Sequence, residues 1–91
     1  MKISILNLAP LRQGENFKDA IDAMIRLAKK ADELGYERYW IAEHHNTKSV
    51  ASSATQLLIQ RTLDNTKNIR VGSGGVMLPN HSPYIVAEQY G

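Results

Sequence analysis

Three short apolar runs, each followed by a segment with helical signals, constrain the fold of this chain more than any other feature. The runs span residues 2–9, 37–43 and 69–78. The connections between them are long enough for crossovers between parallel strands. The order β-α-β-α-β-α therefore predicts an α/β fold with one parallel sheet and right-handed crossovers.

The first helix has the clearest pattern and is predicted over residues 16–34. Asn16 suits the N-cap, and Gly35 suits the left-handed position that follows a helix. Apolar residues recur at three- and four-residue steps and form one stripe along this segment. They are Phe17, Ala20, Ile21, Met24, Leu27, Ala28, Ala31 and Leu34.

Two further helices follow the second and third apolar runs. The second is predicted from about residue 50 to residue 63, after a polar loop at 44–49. Ser82 is predicted to cap the third helix, with Pro83 at its first position, where the missing N–H costs nothing. The apolar side of the second helix comprises Ala51, Ala54, Leu57, Leu58 and Leu63.

The order of the strands decides whether the chain can stand alone. In the order 1-2-3, right-handed crossovers put every helix on one face and leave the other face bare. Such a sheet is a segment of something larger, such as a (β/α)8 barrel of about 250 residues. The order 2-1-3 would instead give a small doubly wound unit with both faces covered. The motifs below favour the order 1-2-3.

Composition excludes several classes of function. The chain has no cysteine, which rules out disulfides, thiolate catalysis and cysteine-ligated zinc. Its formal net charge of +2 comes from scattered basic residues, which does not indicate binding to nucleic acid. The opening MKISILNLAP lacks the features of a signal peptide, and no apolar run approaches the ~20 residues of a membrane span. We expect a cytoplasmic protein with no nucleic acid or membrane partner.

A cluster of glycines lies inside the third apolar run. Gly72, Gly74 and Gly75 fall where glycine weakens a strand and marks a bulge or a close approach to the backbone. The segment GSGGVM lacks the third glycine of GxGxxG and continues as an apolar strand, which argues against a dinucleotide loop. Two interpretations remain from the residues alone: the glycines relieve crowding inside a barrel, or a flat ligand lies against the backbone.

The triplet Glu43-His44-His45 ends the second predicted strand, and the polar segment 79–81 ends the third. The carboxyl ends of parallel strands face the active site, so polar groups converge there. Strand alternation sends His44 and His45 to opposite sides, which makes them poor chelators of one ion. We therefore predict no metal site. A neutral histidine can serve as acid, base or hydrogen-bond partner, and the alternative is a pair of surface histidines in a loop.

The segments RYWIAEHHN and IRVGSGGVMLPNHSPYIVAEQYG resemble the bacterial luciferase-like flavin monooxygenases. The resemblance extends over essentially the whole chain, because the strands, the EHH triplet, the glycine cluster and the LPxxxP turn occur in the same order. It implies a (β/α)8 barrel, usually dimeric, of which residues 1–91 are the N-terminal part of a single domain. It also implies reduced FMN, or a deazaflavin in one branch, which activates O2 to oxidise a small organic substrate. A separate flavin reductase is the expected partner.

The resemblance assigns roles to the EHH triplet. His44 matches the active-site histidine near the flavin, where it would assist proton transfer. Glu43 and His45 match residues beside it, which are expected to support the cofactor-binding residues from behind or to lie at an interface.

The resemblance also assigns a role to the glycine cluster. Ser73, Gly74 and Gly75 match the segment that packs behind the isoalloxazine ring. Family members have a non-proline cis peptide bond there, which we expect between Gly74 and Gly75. Such a bond costs about 3–4 kcal/mol and persists only where its surroundings enforce it.

The length of the chain limits what it is expected to do alone. Five of eight βα units are absent, and so are the loops that commonly hold the phosphate of a cofactor in barrels. We expect this fragment to be inactive. The sequence does not predict whether the fragment alone binds flavin. One alternative is a non-catalytic, self-associating flavin-binding or structural module, with Trp40 and Ala42 on the exposed sheet face. Another alternative is a metal-dependent hydrolase. The first strand of this chain has no HxH pair to bind the metal, which argues against it.

Overall fold

One parallel sheet of three strands organises the molecule. The structure, a computed structural model, describes all residues 1–91. The strands are β1 (Ser4–Asn7), β2 (Arg38–Ile41) and β3 (Arg70–Ser73), and both neighbouring pairs are parallel. Their order in the sheet is β1-β2-β3, which confirms the predicted order 1-2-3.

Three helices connect and follow the strands. They are α1 (Phe17–Glu33), α2 (Thr55–Leu63) and α3 (Pro83–Tyr90), and a short 3₁₀ turn at Leu78–Asn80 precedes α3. None of the helices combines the length and the apolar character that crossing a membrane would require.

Helix α1 begins and ends as its sequence predicts. The Asn16 side chain accepts a hydrogen bond from the backbone N–H of Asp19 at 2.9 Å. In return the Asp19 carboxylate accepts one from the backbone N–H of Asn16 at 3.0 Å. This capping box satisfies donors that the first turn leaves free. Gly35 lies beyond the helix at φ 80°, the left-handed conformation that glycine adopts readily.

The core lies between the two long helices and one face of the sheet. Helix α1 contributes Met24, Ile25, Ala28 and Ala31 to it. Tyr39 and Ile41 of β2 are fully buried against them. The Tyr39 hydroxyl donates a hydrogen bond to the carbonyl oxygen of Met24 at 3.0 Å, so this polar tip is satisfied inside the core.

Helix α2 starts at Thr55, five residues later than predicted. The segment before it is extended, because Val50 forms an isolated antiparallel bridge with Pro10. The backbone N–H of Ala51 also donates to the carbonyl oxygen of Ala9 at 2.9 Å. These contacts tie residues 50–51 to the end of β1 and keep them out of the helix.

The buried side of α2 also differs from the predicted apolar side. Leu57 and Leu63 are exposed, whereas Thr55 and Thr62 are fully buried with Leu58. The Thr62 hydroxyl donates to the carbonyl oxygen of Leu58 at 2.7 Å, and the Thr55 hydroxyl donates to that of Ser52, just before the helix, at 2.8 Å. Threonine is tolerated in this core because each hydroxyl bonds to a backbone carbonyl three or four residues earlier.

The third strand ends at Ser73, five residues before the predicted end. The backbone N–H of Gly74 donates to the carbonyl oxygen of Ile41 at 2.8 Å, and Gly75 then adopts a φ of 137°. All peptide bonds are trans, so the predicted cis bond between Gly74 and Gly75 is wrong. The chain leaves the sheet through the positive φ of Gly75, a conformation that glycine reaches without a Cβ clash.

Ser82 stands at the N-cap position of α3, and Pro83 is its first residue, as predicted. Ser82 occupies the predicted N-cap position, but its side chain makes no capping hydrogen bond.

Asp32 fastens the turn between α2 and β3 to the end of α1. Its carboxylate accepts hydrogen bonds from the backbone N–H groups of Lys67, Asn68 and Ile69 at 2.7, 2.9 and 2.8 Å. These bonds, that of Lys67 first, hold the pKa of Asp32 below its ordinary value. These three hydrogen bonds orient the backbone just before β3.

The sheet face opposite the core has no helix packed on it. Leu6 is 57% exposed there, and Trp40 lies half-buried on the neighbouring strand. Parallel sheets are normally buried on both faces, so this face is suited to further covering structure.

Candidate functional site

A carboxylate and two imidazoles meet at the carboxyl ends of β2 and β3. The Nε2 atom of His81 lies 2.9 and 3.0 Å from the two carboxylate oxygens of Glu43. The Nε2 atom of His45 lies 3.1 Å from Oε2 of the same carboxylate. We call Glu43, His45 and His81 the carboxylate–imidazole cluster.

The cluster is assembled from two segments that the sheet brings together. Glu43 and His45 follow β2, whereas His81 follows the 3₁₀ turn after β3. The backbone N–H of Met77 donates to Oε2 of Glu43 at 3.0 Å and fixes the carboxylate from the β3 side. The backbone N–H of His81 donates to the carbonyl oxygen of Leu78 at 3.0 Å, which positions this histidine.

Hydrogen bonding decides the charge of Glu43. The Glu43 side chain is only 1% exposed, and burial alone would raise its pKa. Hydrogen bonds with His45, His81 and the Met77 backbone outweigh that effect and hold the pKa below its ordinary value. The cluster therefore has an ionised carboxylate at its centre.

The ionised carboxylate also sets the tautomers of the two histidines. A carboxylate only accepts hydrogen bonds, so each neutral imidazole that faces it through Nε2 carries its proton on that atom. The ring centroids of His45 and His81 are 6.3 Å apart, with the planes tilted by 57°. The cluster can thus bind and orient protons, and its three ligand atoms lie within 4.8 Å of one another, close enough to hold a metal ion.

His44 is separate from the cluster. Its side chain is exposed and lines a shallow depression together with His45, Leu8, Thr47 and Val50. On the helix side it also borders a groove of about 650 Å³, which includes Phe17 and apolar residues of α2. The two adjacent histidines therefore share one depression, but only His45 reaches Glu43.

The glycine segment divides into two parts. A Cβ on Gly72 would lie 3.0 Å from the Trp40 ring, and one on Gly74 would lie 2.7 Å from Cδ1 of Leu6. These two glycines make room for side chains of the open sheet face, as the crowding interpretation expects. Gly75 differs, because a Cβ there would meet nothing within 4 Å. Its backbone is uncovered, and its carbonyl oxygen accepts a hydrogen bond from the Ser73 hydroxyl at 2.6 Å.

The sequence assigns no role to two residues at this site. His81 appeared only in a polar segment after the third strand, and its pairing with Glu43 spans 38 residues. Tyr90 of α3 has a buried hydroxyl with no hydrogen-bond partner. Burial raises the pKa of Tyr90, and the charge of Glu43 raises it further. The LPNHSP segment carries the only sequence signal for His81, and no local signal points to Tyr90.

Comparisons with known proteins agree in one family. The sequence model of the luciferase-like monooxygenase family matches residues 1–91. A luciferase-like monooxygenase of Escherichia coli is 50% identical over 88 residues, which are 97% of this chain and 26% of the relative. The chain thus spans about a quarter of the length of the curated relatives it matches.

Two solved structures share the fold of the chain. The crystal structure of apo-MsnO8 matches with a TM-score of 0.94 at 45% identity, over 97% of this chain and 27% of that one. The oxygenating constituent of 3,6-diketocamphane monooxygenase from Pseudomonas putida, a type II Baeyer–Villiger monooxygenase in complex with FMN, matches with a TM-score of 0.83. Its identity is 25%, over 98% of this chain and 24% of that one. The three βα units correspond to about a quarter of a TIM-barrel monooxygenase.

Proposed function

Because the chain belongs to the luciferase-like monooxygenase family over its whole length, we propose that it is the N-terminal part of one flavin-dependent barrel domain. The complete domain would use reduced FMN and O2 to oxidise a small organic substrate. The FMN complex of a structural neighbour supports FMN over a deazaflavin. A separate reductase would supply the reduced flavin.

One observation carries this proposal: the uncovered backbone of Gly75 lies at the same sheet edge as the carboxylate–imidazole cluster. Ile41 and Ser73 are register partners at the ends of β2 and β3. Glu43 and Gly75 each lie two residues beyond those ends. Uncovered backbone beside ionisable side chains, at the carboxyl ends of parallel strands, fits the place where a barrel binds its ligand.

The residues present fit an isoalloxazine ring at this edge. Gly75 offers open space with no Cβ, and the Ser73 hydroxyl is engaged with the Gly75 carbonyl, which holds the turn. In the proposal Ser73, Gly74 and Gly75 form the surface behind the ring. FMN supplies the electrons for oxygen activation when it is bound.

The histidines are proposed to handle protons around that ring. The His44 side chain is exposed and takes no part in the cluster, so its imidazole is open to substrate or solvent. Glu43 and His45 are fixed to each other and line the edge of the cofactor site. His44 is therefore the proposed catalytic group, and Glu43 and His45 are proposed to flank the cofactor.

The 91 residues alone are proposed to be inactive, because positioned catalysis requires the whole constellation. The alternative is a non-catalytic, self-associating module. The apolar Leu6 on the open sheet face favours that reading for the isolated chain.

The decisive experiment places residues 1–91 in the E. coli luciferase-like monooxygenase in exchange for its matching segment. We expect this chimera to bind FMN and to consume O2 when reduced FMN is supplied. His44→Ala in the chimera should lower O2-dependent product formation by about 10²–10⁴-fold, the usual effect of losing a proton-transfer group. FMN affinity should stay unchanged. A folded chimera that binds no flavin would contradict the proposed cofactor site, and full activity of His44→Ala would remove His44 from the mechanism.

A further inference from the structure

The carboxylate–imidazole cluster brings three ligand atoms of different side chains to one point. The distances from Glu43 oxygens to the two Nε2 atoms are 2.9–3.1 Å. In a tetrahedral zinc site, bonds of 2.0–2.1 Å place neighbouring ligand atoms about 3.3 Å apart. The carboxylate–imidazole distances are thus already close to the spacing that such a site requires, and all three ligand atoms lie within 4.8 Å of one another.

We propose that Glu43, His45 and His81 bind one divalent transition-metal ion, with Zn²⁺ as the probe. Two imidazoles and one carboxylate form a donor set of borderline softness with one negative charge, which suits such an ion and leaves positions for water. His45 is 35% exposed and His81 is 25% exposed, so an ion reaches the site from solvent.

The ligands are held before any ion arrives. Glu43 is buried and fixed by the Met77 backbone N–H, and the backbone of His81 is positioned by its bond to Leu78. The ion would therefore find the carboxylate already oriented and the His81 backbone already in place. Preorganisation of this kind is what a metal site requires of its surroundings.

Metal binding involves a proton shift within each imidazole. In the free cluster the Nε2 proton of each neutral ring points at Glu43. On binding, that proton moves to Nδ1, and the Nε2 lone pair and a Glu43 oxygen are donated to the ion. No proton leaves either ring and no oxidation state changes, so the exchange needs no co-reactant.

Adjacent histidines such as His44 and His45 are predicted to be poor chelators of one ion. The structure brings together different residues: Glu43 and His45 after β2, and His81 after the 3₁₀ turn that follows β3, without His44. The site shares Glu43 and His45 with the proposed edge of the cofactor site. The metal-binding test contains no flavin, so failure of this proposal can be distinguished from failure of the proposed monooxygenase function.

The test uses the tag-free 91-residue chain without flavin. Zn²⁺ binding is measured by calorimetry, and Co²⁺ binding is measured by visible absorption. Variants His45→Gln and His81→Gln each remove one ligand. The matched control is His44→Gln, the same change at the remaining histidine of the chain. Circular dichroism establishes that each variant is folded. In parallel, ¹⁵N NMR of the imidazoles of the unaltered chain reports which nitrogens bind Zn²⁺ and requires no variant.

We expect one Zn²⁺ per chain, unchanged affinity in His44→Gln, and a loss of at least about 100-fold in each ligand variant, since even outer partners of metal ligands contribute about 10–100-fold. The Nε2 resonances of His45 and His81 should shift and those of His44 should not. Three results would overturn the proposal: no saturable binding, equal affinity in all variants, or one ion shared between two chains.

Discussion

At the scale of single residues, Glu43 makes the stability of the chain sensitive to acid. Its folded-state pKa is held below the ordinary value of 4.5. The unfolded chain therefore binds the proton more readily in the acid range. The stabilisation is fully present above that ordinary value and is lost as the pH falls through the folded pKa. We expect the free energy of unfolding to decrease as the pH is lowered from about 5 to about 3.

The matched variant for this prediction is Glu43→Gln. It should be less stable than the unaltered chain at pH 7 by about 1.5–3 kcal/mol, the worth of hydrogen bonds to a charged group. Urea unfolding at several pH values should show the gap between the two proteins narrowing in acid. A gap that stays constant down to pH 3 would exclude an ionised, hydrogen-bonded Glu43.

Gly75 allows a second test at the same scale. Valine at its φ of 137° is strained, at a cost of about 1–3 kcal/mol, and its side chain would occupy the uncovered space. Gly75→Val should lower the FMN affinity of the chimera, as measured by flavin fluorescence. Gly14→Val is the control, because Gly14 also has a positive φ, 81°, but lies in the β1–α1 loop. Equal flavin affinity in both variants would contradict the role proposed for Gly75.

At the scale of elements, Asp32 determines how β3 joins the sheet. Asp32→Ala removes three hydrogen bonds to backbone N–H groups and leaves those donors to water. We expect a loss of about 2–3 kcal/mol in the free energy of unfolding, since bonds to charged groups are among the stronger ones. Hydrogen exchange should become faster at the start of β3.

The control for Asp32 is Asp22→Ala, which removes an exposed ion pair with Lys18 on the same helix. Exposed pairs of this kind contribute little to stability, so this variant should unfold at nearly the same urea concentration as the unaltered chain. If both aspartate variants lost the same stability, the three backbone bonds of Asp32 would have no special role.

The sequence predicts the elements whose signals are local. The capping box of α1, Gly35 and the apolar stripe of that helix are all encoded within a few residues, and the structure agrees with them. Helix α2 was predicted too long because the bridge between Val50 and Pro10 depends on distant strands. Its buried threonines were missed because their hydroxyls are satisfied only once the helix has formed.

The candidate site shows the same division. The sequence places Glu43, His45 and the glycine segment at one edge, because strand ends can be read from the chain. The pairing of Glu43 with His81 could not be predicted, since it depends on the 3₁₀ turn after β3. The conformation of Gly75 was also mistaken, because a positive φ and a cis bond are alternative ways to redirect a glycine-rich chain.

At the scale of the whole molecule, the bare sheet face predicts self-association. Leu6 and Trp40 lie on a face that no helix covers, and parallel sheets are normally buried on both sides. We expect light scattering to detect oligomers of the isolated chain, and Leu6→Lys to shift them towards monomers. Leu34→Lys, the same change at an exposed leucine beyond the end of α1, should leave the distribution unchanged. A stable monomer of the unaltered chain would contradict this use of the open face.

The bonds of Asp32 also have a consequence for how the molecule would respond to damage. They join the end of α1 to the start of β3 across 35 to 37 residues, and β2 pairs with both outer strands. A protease that cut the exposed loop at residues 45–49 would leave two pieces, each still attached to the other through the sheet and through this carboxylate. Strand pairing and the bonds of Asp32 therefore hold together the two parts of the chain on either side of this loop. One broken peptide bond in the loop need not separate them.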